Sequence, residues 1–182
     1  MFPAQLDQIT RDYLHAKDHN RPHALGRAFA EHAVFVSRFE FETDFSDDTP
    51  REGLQAITDT FRALGAACEN IYTLCTLDSR RQLEVEAGAP PAWACKWIVT
   101  MSERESGRLR VAWGDYRWEI DEASGLATEL IVTMVEMSQL EPEQLAPVSE
   151  WMARFEGPWV ERGALLEAMP KLEELAGVSG YL

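Results

Sequence analysis

Between Val111 and Asp121 the chain runs VAWGDYRWEID, with Trp113, Asp115, Arg117 and Glu119 at every second position and Gly114, Tyr116, Trp118 and Ile120 between them. A strand sends alternate side chains to opposite faces, so the segment carries one charged face and one aromatic-aliphatic face. Turned into a cavity, Asp115, Arg117 and Glu119 would form a charged catalytic set. Turned outward, they form a cross-strand ion-pair face, worth little pair by pair. With the other face inward, Tyr116 offers a phenolic O–H that can polarise a ligand carbonyl. A slip of one residue in register exchanges the two cases.

The four histidines are the other candidates for chemistry near neutral pH. His15 and His19 have the i, i+4 spacing of helical metal ligands, but on a helical wheel they lie roughly 160° and 120° from Tyr13, on the solvated side. Pro22 interrupts the helix before His23, and neither a cysteine nor a carboxylate completes a metal set. No metal or other cofactor is expected. His32 follows Leu25 by seven residues on a second helical stripe, which places it partly buried and makes it the candidate acid or base.

The elements that must position these groups can be traced along the chain. Residues 4–19 read as a helix, with Phe2, Leu6, Ile9, Tyr13 and Ala16 on one face. Pro22 opens a second helix to about His32 that buries Leu25, Ala28 and Phe29. AVFVSRFEFET is β-branched and aromatic enough for a strand. In TPREGLQAITDTFRALG, Thr49 reads as an N-cap, Pro50 as the first helical residue and Glu52 as the close of a capping box. Leu54, Ile57, Phe61 and Leu64 make that helix's apolar stripe, and Gly65 ends it.

Strand follows strand to residue 138: NIYTLCTL, the weaker QLEVEA, AWACKWIVTM, LRVAWGDYRWEI and ATELIVTMVEM, joined by turns such as SERESG and DEASG. Residues 142–176 return to acidic helical pieces. The expected fold is α+β: a curved antiparallel sheet around the N-terminal helices over residues 1–138, then a C-terminal helical extension, 139–182. The extension's Trp151, Met152, Phe155 and Trp159 would pack on its own domain, over the sheet face that holds Trp113, or at a subunit contact.

The 182 residues carry 17 basic and 31 acidic side chains, a net charge of −14. That charge repels nucleic acid and anionic membranes, and no apolar run reaches the roughly 18–20 residues that span a bilayer. No signal peptide is apparent at the N-terminus. Three cysteines without a CxxC fit reduced thiols in a cytoplasmic protein.

The order helix–helix–strand–helix–strands resembles the nuclear-transport-factor-2-like superfamily, which includes ketosteroid isomerases, limonene epoxide hydrolase and SnoaL-type cyclases. The match rests on YLHAKDHNRPHALGRAFAEHAVFV, TPREGLQAITDTFRAL and WEIDEASGLATELIVTM, and covers about residues 5–138. The resemblance implies a cone-shaped fold with an inner cavity. It places Tyr13 where ketosteroid isomerases keep an oxyanion-stabilising tyrosine, Tyr116 where they keep a second donor, and Ser37 at the position of their acidic base.

By the same match Gly114, Tyr116, Trp118 and Ile120 face the cavity. It is lined further by Cys95, Trp97 and Val99 of one neighbouring strand and Leu130, Val132 and Met134 of the other. The implied function is binding of a small apolar, carbonyl-bearing molecule, with proton-transfer chemistry (isomerisation, dehydration or cyclisation) carried by Tyr13, Tyr116 and His32, in a homodimer. A non-catalytic dimerisation or partner-binding module, and an epoxide hydrolase-like site on Asp115 and Arg117, are the alternatives.

Overall fold

The computed structural model describes residues 3–43 and 47–182. The first helix, α1 (Ala4–Asp18), buries Leu6, Ile9, Tyr13 and Ala16 as its periodicity predicts, while Phe2 of that stripe lies outside the described residues. The second expected helix is replaced by a short 3-10 turn over Pro22–Arg27, and β1 (Phe29–Phe39) begins two residues later. Six residues containing a glycine are too few to hold an α-helix, and pairing with another strand takes the chain over. His32 therefore sits on a strand rather than on a helical stripe, and it is exposed.

The expected capping box does not form. Arg51 and Glu52 make a short strand, β2 (Arg51–Glu52), against Phe35 and Val34 of β1. The helix, α2 (Leu54–Ala67), starts after Gly53, whose φ of 85° sets the turn between the two and favours glycine. Ile57 and Phe61 are buried, with Leu54 and Leu64 packed partly exposed beside them. Gly65 lies within this helix rather than at its end, where the side chain of Asn20 takes the space a Cβ would occupy.

The remaining strands are β3 (Cys68–Thr76), β4 (Arg81–Gln82), β5 (Ala92–Glu103), β6 (Leu109–Asp121) and β7 (Leu126–Leu140). Only the first residue of QLEVEA belongs to a strand. The C-terminal segment contributes α3 (Leu145–Met152), β8 (Trp159–Val160), α4 (Arg162–Glu167) and α5 (Ala176–Tyr181). The eight strands form one curved sheet in the order β2–β1–β7–β6–β5–β3–β8, with β4 also on β5. β1 runs parallel to β7 and β8 to β3; the other pairs are antiparallel.

The sheet separates two apolar layers. On its inner face Trp97, Tyr116, Trp118 and Leu130 pack with Tyr13 of α1 and Phe61 of α2. On its outer face Leu74, Ile98, Leu109, Val111 and Trp113 are covered by Val148, Trp151, Leu165, Leu175 and Val178 of the C-terminal segment. Around Val111–Gly114 β6 is thus buried on both sides, while Asp115, Arg117 and Glu119 further along stay partly exposed.

Candidate functional site

Register places the inner-face residues in rows across the sheet. Ser37 of β1 stands beside Val132 of β7, Val132 beside Tyr116 of β6, and Tyr116 beside Cys95 of β5. The next row holds Phe39, Met134, Gly114, Trp97 and Cys75. On the other side of Tyr116, Phe35, Leu130, Trp118 and Trp93 follow in line. Cys95, Trp97, Val99, Trp118 and Leu130 are buried, and Val132 and Met134 lie partly exposed at the edge of the same cluster.

Tyr13 reaches this surface from α1. Its ring makes edge-to-face contacts with Phe29, Phe61, Tyr116 and Trp118 at centroid distances of 5.5–5.8 Å, and Trp97 stacks on Tyr116 at 5.4 Å. The Tyr13 and Tyr116 hydroxyls are hydrogen-bonded to each other. Burial pushes both phenols far above their ordinary range. For Tyr13 the bond to Tyr116 works the other way, and the Asp18 carboxylate adds to the rise. Beside the pair, the indole N–H groups of Trp97 and Trp118 are buried without an acceptor, a costly condition for a polar group.

These phenols make an alkaline prediction. A folded-state pKa above the unfolded value near 10.0 gives stability that is complete below pH 10 and falls as pH rises beyond it, because only the unfolded chain releases those protons. Absorbance of phenolate, followed in parallel with circular dichroism, should show Tyr13 and Tyr116 ionising only as the fold is lost. Ionisation of all tyrosines in a still-folded chain would contradict the burial argument.

One polar group of this region escaped the sequence reading. Lys17, one helical turn after Tyr13, is only 7% exposed. Its Nζ donates to Thr73 Oγ1 at 2.6 Å and lies 2.5 Å from Asp18 Oδ1. Asp18 also accepts the Thr73 N–H at 2.8 Å and its hydroxyl at 3.0 Å. The i, i+4 spacing from Tyr13 was the available signal, since it keeps Lys17 on the helix's buried face. Nearby, the Cys75 and Cys95 thiols are hydrogen-bonded to each other, and burial holds Cys75 well above the ordinary thiol range.

The charged face of β6 points outward. Arg117 pairs with Glu119 at 2.5 Å and with Glu129, while Asp115 accepts the hydroxyl of Tyr181 from α5. His32 is not brought to the tyrosines either. It borders a surface recess with Pro90, Pro91, Asp121 and Thr128. His15 and His19 are exposed on α1 with their rings 4.7 Å apart. Among the described residues, no cluster of three His, Cys, Asp or Glu side chains is placed to hold a metal ion, and no helix is long and apolar enough to cross a membrane.

This curved sheet closed over α1 and α2 has the cone-shaped fold of solved ketosteroid isomerase-like structures. Solved structures carry the comparison. The Delta 5-3-ketosteroid isomerase of Mycobacterium sp. has a TM-score of 0.55 at 14% identity, over 76% of this chain and 100% of that one. BvnE pinacolase from Penicillium brevicompactum has 0.55 at 13% identity, over 74% and 88%. A computationally designed 17-OHP binder has 0.54 at 14% identity, over 72% and 95%. At such identities the likeness is one of fold. No protein-family profile matches the sequence, and no curated protein does.

Proposed function

We propose that this chain binds a small apolar molecule bearing a carbonyl or similar acceptor within the cone, against Tyr13 and Tyr116. The observation that carries the reading is the donor surplus of an otherwise hydrocarbon interior. Two mutually bonded phenols stand beside two indole N–H groups with no acceptor. An acceptor oxygen placed there would satisfy donors that the protein alone leaves idle. Met101, Val132, Met134 and Met137, packed partly exposed on the ring cluster, form the adaptable edge through which a ligand enters, since methionine side chains repack readily.

Fixed donors of this kind stabilise charge that develops on oxygen during enolisation, the chemistry shared by isomerases, dehydratases and cyclases. Among the solved neighbours an isomerase and a pinacolase are in keeping with an enzyme of this fold, and a designed 17-OHP binder with small-molecule binding. Neither expected base position supplies one: Ser37 occupies the row beside Tyr116 and His32 faces solvent. The epoxide hydrolase-like alternative needs Asp115 and Arg117 on the inner face, whereas they lie on the outer one; the partner-binding alternative would use the outer side together with the C-terminal helices, which here pack on the sheet.

Native mass spectrometry of the purified chain, followed by denaturing extraction, tests the reading. A retained apolar compound is expected, and Tyr13→Phe should weaken its rebinding about tenfold, the worth of one buried hydrogen bond. Full rebinding by Tyr13→Phe would remove the phenol from its assigned role. A chain that carries nothing, and whose tryptophan fluorescence ignores 17-OHP and simpler ketones, would remove the function.

A further inference from the structure

A second concavity lies outside the cone, about 420 Å³ in volume, between the exposed side of α1, the strand β3 and the segment that follows α3. Its floor is hydrocarbon: Leu14, Ile71, Leu74 and Met152 are buried, and Phe155 is half-buried along it. Its rim on α1 is Arg11, His15 and His19, one turn apart along the helix. Arg11 Nε is held by Asp7 at 2.9 Å, while its Nη1 reaches across to Gly157, 3.0 Å from where a Cβ would stand.

His15 Nε2 lies 3.2 Å from the Arg21 guanidinium. Since arginine only donates, that nitrogen is the acceptor, and the ring's Nδ1–H remains a donor. Burial, His19, Arg21 and Arg27 all favour neutral His15, with Asp12 opposing them. Arg21 and Arg27 thus sit close enough to His15 to act on it, while Asp7 pairs with Arg11 and Asp12 acts on His15 from the other side.

The one carboxylate in the groove wall is already committed. Asp18 accepts from Lys17 and the Thr73 hydroxyl at Oδ1, and from the Thr73 N–H at Oδ2. The same bond caps the edge of β3 at Thr73, so an added peptide strand would find that donor occupied.

We propose that this groove is a binding site for an amphipathic monocarboxylate, its apolar chain on Leu14, Ile71, Met152 and Phe155 and its carboxylate on Arg11 and His15. An apolar floor that ends at the Arg11 guanidinium and the His15 N–H matches that ligand and disfavours its neutral analogue, which gains the same burial but no charge-assisted bond to Arg11. The site is separate from the cone and stands or falls independently of it.

The test titrates the full-length protein with decanoate and with decanol, following the ring-proton resonances of His15 and His19 and the indole N–H signals. Decanoate should move the histidine resonances saturably and bind about tenfold or more tightly than decanol. Arg11→Ala with His15→Ala should erase that preference, and both side chains are exposed, so thermal melting will confirm that the variant folds. Tyr13→Phe should leave decanoate binding unchanged, which distinguishes this site from the cone. Equal affinity for decanol, unaltered binding in the double variant, or shifts confined to the Trp97 and Trp118 indoles would each overturn the proposal.

Discussion

A chain cut after Leu140 is expected to self-associate or unfold. The cut removes α3, α4, α5 and β8, and with them the cover over Leu74, Ile98, Leu109, Val111 and Trp113, each at most 4% exposed in the intact protein. Burial of side chains of this size contributes about 1.5–3 kcal/mol apiece. Five of them approach the whole net stability of a domain, about 5–15 kcal/mol. The fit is close: a Cβ on Gly177 would come within 2.9 Å of the Trp113 ring. Polar bonds fix the same seat, with Tyr181 donating to Asp115 and Lys96 to the Tyr181 carbonyl. Removing β8 also uncovers the edge of β3 at Cys75 and Thr76, a template for pairing between chains.

Size-exclusion chromatography and circular dichroism of the 1–140 fragment should show self-association or unfolding. A monomeric fragment that melts cooperatively within a few degrees of the full chain would show that the tail is dispensable. A homodimer built on this sheet face would first have to displace the tail, so dimerisation that appears only after truncation would fit the same account.

How much of this was legible before the coordinates depended on whether a local signal decided the outcome. The alternation along β6 announced a strand with two unlike faces, while the resemblance supplied which face turns inward, and the rows through Tyr116 follow from that placement. The helical stripe of α1 brought Tyr13 to the same rows. What failed was decided by partners distant in sequence. Thr49-Pro50-Arg51-Glu52 has the residues of a capping box, yet pairing of Arg51 and Glu52 with β1 delays the helix to Leu54. His32 satisfied a helical spacing that the parallel pairing of β1 with β7 made irrelevant. Lys17 drew no reading from its sequence position; the adjacent Asp18 carboxylate and Thr73, 56 residues away, make its burial tolerable. The two-residue β8 had no run long enough to announce itself, and it exists because Cys75 and Thr76 offer it an edge.

The same dependence on distant backbone underlies the second large effect, expected at Gly114. Strand β7 pairs with β6 through two irregularities, one of them between Trp113 and Gly114, where the partner moves from Glu136 to Met134 and leaves Val135 unmatched. A bulge of this kind bends the strand and increases its twist. Here it also restores the face pattern, since Leu130, Val132 and Met134 point inward before it and Met137 after it. The cost is a close approach of backbones. A Cβ on Gly114 would stand 2.9 Å from the Thr133 carbonyl carbon and closer still to its oxygen. Neither atom is a side-chain end that can turn aside, so a substituent must part the two central strands in the row that holds Trp97 and Met134.

Gly114→Val is therefore expected to destabilise the chain by about 3 kcal/mol, the upper part of the usual range for overpacking. At roughly 2–4 °C per kcal/mol for a domain of this length, its Tm should fall by about 10 °C. A strand residue with high β-propensity would ordinarily favour the strand, so the sign of the change separates the two effects. Differential scanning calorimetry decides between them: a Tm equal to or above that of the parent would mean that β7 can slide its bulge away from Gly114. A fall in Gly114→Val accompanied by a shift of the inner-face tryptophan fluorescence would locate the strain in the row that holds Trp97, next to the row of Tyr116.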